Sequence, residues 1–83
     1  MKVTINYYND FSIKNFVANG KEIEFDARDY LGSVQRLCYM IGQVLDEETL
    51  EALEDGNITE LEVIEPYCIS SGIELEVNYE EEE

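Results

Sequence analysis

Asn19-Gly20 is the tightest constraint this sequence places on its own fold. The pair stands between strand-like stretches 12–18 and 21–26. Both central residues of a type I′ turn need positive φ, which Asn and Gly adopt at little cost, so the chain is expected to double back here as a β-hairpin. Ile23 and Phe25 then face one way, and Glu22 and Glu24 the other. Upstream, Val3, Ile5 and Tyr7 alternate with Lys2, Thr4, Asn6 and Tyr8, the pattern of a half-buried strand that turns at Asn9-Asp10.

The pattern then changes period. Asp26 reads as a helix N-cap, with Asp29 as a weak capping-box partner. Tyr30, Leu31, Val34, Leu37, Cys38, Ile41, Val44 and Leu45 recur at spacings of an amphipathic helix, whose other face carries Gly32, Arg36, Tyr39 and Gln43. Asp46-Glu47-Glu48 opens a second, short helix, because acids there complement the helix dipole. Leu50 and Leu53 form its buried side and Gly56 its stop.

From Ile58 to Glu65 the alternation returns, with Leu61 and Val63 inward and Glu60 and Glu62 outward, ended by Pro66. Residues 67–71 read as a loop. Residues 72–80 read as the clearest strand, with Ile73, Leu75, Val77 and Tyr79 on one face and Glu74, Glu76, Asn78 and Glu80 on the other. The expected order is βββ-α-α-ββ. That is an α+β fold: an antiparallel sheet with one long helix packed on one face, a single domain over 1–83 with a frayed tail at 80–83.

At 83 residues, 45% of them apolar, the chain can build one small core. It has no stretch long enough to span a bilayer and no signal-like start. Cys38 and Cys68 form no CxxC, so they are expected to be reduced thiols in a cytoplasmic protein, Cys38 packed on the helix and Cys68 in a loop.

Charge is unevenly distributed. There are 20 acids against 5 bases, a net charge of −15. Every base (Lys2, Lys14, Lys21, Arg28, Arg36) lies in residues 1–36, balanced there by Asp10, Glu22, Glu24, Asp26 and Asp29. Residues 37–83 hold all the other acids and no base. Such a field repels nucleic acids and anionic membranes and attracts basic surfaces. Pairing the last two expected strands would set Glu62 against Glu76, with Glu60 and Glu74 diagonal to them. Like charges in that position cost stability. The candidate partner-binding residues are therefore Glu60, Glu62, Glu74 and Glu76, with Asp46, Glu47, Glu48, Glu51, Glu54 and Asp55 as a second acidic patch. Carboxylates on alternate strand positions recur every ~6.6–6.8 Å, a crude imitation of a phosphate array.

Catalytic signatures are missing from the sequence. There is no histidine, no nucleophile–base pair and no glycine-rich phosphate loop, so no catalytic residue and no cofactor are expected. Glu51, Asp55, Gly56, Ile58 and Glu62 fit part of a calcium-loop pattern, but Leu53 occupies a ligand position, so no metal is expected either.

In size, charge, the acid-only segment 37–83 and its Glu60/Glu62 and Glu74/Glu76 pairs, the chain resembles the small acidic inhibitors of phages and mobile elements. These are the DNA-mimicking anti-restriction and anti-CRISPR proteins. Nuclease immunity proteins are similar in the same respects. The resemblance implies a cytoplasmic, non-enzymatic protein, monomeric or homodimeric. It would bind a basic nucleic-acid-processing protein, block its nucleic-acid site by charge mimicry, and bind neither nucleic acid nor membrane itself. The alternative is an assembly subunit that pairs through an exposed edge at 2–8 or 72–80, its acids serving solubility.

Overall fold

The structure is a computed structural model and describes residues 1–80. It is α+β: a four-stranded mixed sheet with three α-helices. The strands are β1 (Lys2–Tyr7), β2 (Ile13–Ala18), β3 (Lys21–Glu24) and β4 (Glu74–Tyr79), in the spatial order β3-β2-β1-β4. Strands β1, β2 and β3 form the antiparallel meander, and the hairpin falls on Asn19 (φ 52°) and Gly20 (φ 83°) as expected. β4 pairs with β1 in parallel, from Lys2 opposite Glu74 to Tyr7 opposite Tyr79. The sheet is therefore mixed, not antiparallel, and β1 lies in its interior. Residues 2–8 offer no free edge; the edges are β3 and β4.

Helices α1 (Tyr30–Met40), α2 (Glu47–Asp55) and α3 (Glu60–Ser71) follow β3 in turn. Asp26 caps a short 3-10 turn, and Asp29 caps α1 by accepting from the Gly32 N–H at 3.1 Å. α1 is shorter than its apolar spacing suggested. It stops at Met40, Gly42 takes a positive φ of 86°, and Val44 is left 85% exposed beyond the helix end. α2 matches its expected limits, with Asp46 as N-cap and Gly56 (φ 77°) as the left-handed stop.

The largest departure is the segment 58–71. It is a helix, not a strand followed by a loop, so the order is βββ-α-α-α-β. Thr59 and Glu62 form a reciprocal capping box: Thr59 Oγ1 accepts from Glu62 N at 3.4 Å, and the Glu62 carboxylate accepts from Thr59 N at 3.2 Å. Ile64 and Cys68 bury one face. Pro66 lies inside the helix and does not terminate it.

The core sits between α1 and α3 and one face of the sheet. Val3, Ile5, Phe16, Val34, Leu37, Ile64 and both thiols fill it. Cys68 is thus buried, contrary to its expected loop position. The opposite sheet face is uncovered. There the asparagine side chains relay across the strands: Asn78 Nδ2 donates to Asn6 Oδ1 (3.1 Å), Asn6 Nδ2 to Asn15 Oδ1 (2.7 Å), and Asn15 Nδ2 to the Glu22 carboxylate (2.7 Å). No helix among the described residues is long and apolar enough to cross a membrane.

Candidate functional site

The fold distributes the acids over three environments. Glu60 is in the core. It is the first residue of α3, only 9% exposed, and its carboxylate accepts from Tyr7 Oη (2.8 Å) and Tyr30 Oη (2.7 Å). Its expected place on an outer strand face is therefore corrected. The turn to helix at Thr59 swings it under the sheet, where two phenols satisfy it.

Glu74 and Glu76 lie on the open sheet face. Glu76 pairs with Lys2 at 3.3 Å and accepts a long contact from Thr4 Oγ1 at 3.5 Å. The neighbouring strand brings a base and a hydroxyl to this carboxylate. Glu62, which the expected hairpin would have set opposite Glu76, is on α3 instead. The Glu62/Glu76 and Glu60/Glu74 juxtapositions do not exist.

The third environment is the helical surface. Asp46, Glu47, Glu48, Glu51, Glu54 and Asp55 are all exposed along α2 and its cap, and Glu62 and Glu65 are exposed on α3. Four residues of helix advance about 6 Å, so Glu47, Glu51 and Asp55 form a ridge of carboxylates near that spacing. Asp46 and Glu62 both line a cleft of about 660 Å³, whose wall also includes Thr49 and Tyr67. Thr49 holds the Asp46 carboxyl below the usual carboxylate range, first through its side-chain hydroxyl and then through its backbone N–H, which donates to that carboxylate at 2.8 Å.

Helix α2 is acidic beyond what its own stability favours. Acids in the first turn complement the helix dipole, but Glu54 and Asp55 occupy the last turn, where negative charge is disfavoured and no base is present. Lys2–Glu76 is the single ion pair among the described residues, and it is on the sheet. The acids of α2, and Glu62 and Glu65 of α3, thus meet solvent with no cation paired to them among the described residues.

Sequence reasoning placed the second acidic patch correctly on a helix but missed the phenol cradle of Glu60 and the asparagine relay. The signal for α3 was present as Thr59-x-x-Glu62, a capping-box pattern, followed by Leu61, Ile64 and Cys68 at helical spacing.

No protein-family profile, curated protein or solved structure matches the chain.

Proposed function

We propose that the protein is a small inhibitor without catalytic activity that sets the acidic surface of α2 and α3 against the basic nucleic-acid-binding surface of a nucleic-acid-processing protein, such as a nuclease or restriction enzyme. Charge mimicry then blocks the nucleic-acid site. The observation that carries the reading is the run of exposed carboxylates along the whole of α2, including its last turn, with no cation paired to it among the described residues. Such a surface steers a basic partner over roughly 10 Å at 0.1 M salt and loses that advantage as salt rises. The working face is accordingly the helical layer, and Glu60 is excluded from it by burial.

The test compares three immobilised chains in a bacterial lysate at low salt: the native chain, a helix-face reversal (E47K/E51K/E54K) and a sheet-face reversal (E74K/E76K). The native chain and the sheet-face variant retain nucleic-acid-binding proteins, which duplex DNA displaces; the helix-face variant retains none. Partners that DNA does not displace, or that remain on the helix-face variant, would refute the reading.

A further inference from the structure

The free edge of β3 borders a groove of about 1040 Å³ between this strand and α1. Its wall mixes charged residues of β3 and α1 with apolar side chains that are open to solvent. Tyr39 is 78% exposed, Met40 42% and Val44 85%, with Ile23 half-buried on the strand side. Gln43, whose buried Oε1 has no hydrogen-bond partner among the described residues, lines both this groove and the cleft beside α2.

The strand phase shows what this edge presents. Ala18 and Lys21 close the two-residue hairpin, so this pair and Phe16–Ile23 carry the hydrogen bonds to β2. Glu22 and Glu24 therefore direct their backbone N–H and C=O groups to the free edge. Their side chains stand on the open sheet face, beside Val17 and Asn15, and neither is paired with a cation among the described residues. The groove itself carries both signs of charge: Lys21 and Arg36 line it together with Glu22, Glu24 and Asp26, Arg36 Nη2 donating to Ser33 Oγ at 3.1 Å.

From this arrangement we infer that β3 accepts a fifth strand from a partner protein. That strand is an extended segment alternating apolar residues with Lys or Arg. Its backbone pairs with Glu22 and Glu24. Its apolar side chains enter the groove between Ile23 and Tyr39, and its basic side chains lie over the two carboxylates, away from Arg36. A second copy of this chain fits poorly. Antiparallel pairing of β3 with itself, with the faces kept in phase, sets Glu22 against Glu24 or against its own copy. The surface differs from the acidic helical face, and the inference does not depend on the inhibitor reading.

The test titrates the full isotope-labelled chain at 0.15 M salt with a capped hexapeptide that alternates lysine with valine. Saturable shifts are expected at Glu22, Glu24 and Tyr39, with slowed exchange of the Glu22 and Glu24 amides. Glu22→Pro removes an edge donor on the solvent side of the strand and weakens binding about tenfold, the loss of one hydrogen bond's worth of affinity. Glu22→Gln removes only the charge and weakens it roughly two- to fivefold. Tyr39→Ala, at an exposed position that leaves the core intact, weakens it about fivefold. Three results would overturn the inference. One is shifts confined to α2. Another is equal binding of a peptide with its lysines gathered at one end. The last is protection of the same amides by protein concentration alone, which would make the occupant a second copy.

Discussion

Tyr7 Oη donates to Glu60 Oε1 at 2.8 Å across 53 residues of sequence, joining the central strand to the first turn of α3. Tyr30 Oη donates to the other carboxylate oxygen at 2.7 Å, so α1 is held to the same acid. Glu60 also sits at a helix N-terminus, where the dipole favours its charge. One carboxylate thereby fixes the relative positions of β1, α1 and α3. Replacing Tyr7 by Phe leaves a buried acceptor short of a donor and is expected to cost about 1–3 kcal/mol. Tyr30 is more accessible, and water can replace its hydroxyl, so Tyr30→Phe costs less. Urea unfolding of the two variants measures the order, and a larger loss for Tyr30→Phe would contradict this account.

The same two phenols make the fold sensitive to alkali. Burial, and then the hydrogen bond and charge of Glu60, raise the pKa of Tyr7 and of Tyr30 well above the ordinary 10.0. The folded state therefore keeps protons that the unfolded chain releases. The stabilisation is fully present below pH 10 and declines as pH rises beyond it toward the folded values, approaching about 1.4 kcal/mol per pH unit for each tyrosine. Urea midpoints between pH 8 and pH 11 should fall along this limb. The fall should be shallower in Tyr7→Phe, and an unchanged limb in that variant would exclude Tyr7 as its source.

Neither thiol should behave as a sensor. Burial pushes Cys38 up to about 11, and burial raises Cys68 as well. At pH 8 a thiol of that pKa holds roughly a hundredfold less thiolate than one at 9.0, and thiolate is the reacting form. Aromatic disulfide reagents should therefore label both cysteines at a rate that follows unfolding, and promptly in denaturant. Rapid labelling of Cys68 in the native protein would return it to the exposed loop suggested by its sequence setting.

The meander was legible because its signals are local. Asn19-Gly20 fixes a turn through backbone sterics, and the alternation around it needs no distant partner. Asp46 and the stop at Gly56 are local for the same reason, whereas Asp26, read as the helix cap, caps the 3-10 turn and leaves α1 to Asp29. The parallel partner of β1 was not legible. β4 alternates equally well beside any strand, and nothing near it states which neighbour it takes. Segment 58–65 was misleading because a short α-helix can alternate for one turn: Leu61 and Val63 are both half-buried on α3, flanking the fully buried Ile64. The acid-only half was visible as composition. That Glu60 is consumed by the core while α2 keeps its acids in solvent depends on the tertiary fold.

Pro66 offers the sharpest check on that correction. It is exposed, seven residues into α3, and has no N–H to donate to the Glu62 carbonyl one turn back. A helix-interior proline is unfavourable relative to alanine by about 3 kcal/mol. Part of that is already relieved here, since Pro66 is exposed and lines the cleft beside α2 together with Glu62, where water has access. Pro66→Ala should therefore stabilise the protein by about 1–2 kcal/mol and raise its helical circular dichroism slightly. If residues 58–65 were instead a strand that Pro66 terminates, the same substitution would remove a stop signal without supplying a helical hydrogen bond. Stability would then stay level or fall. Thermal unfolding of the single variant, compared with Thr59→Ala, decides between these. The capping change should cost about 1 kcal/mol only if α3 begins where the Thr59–Glu62 box places it.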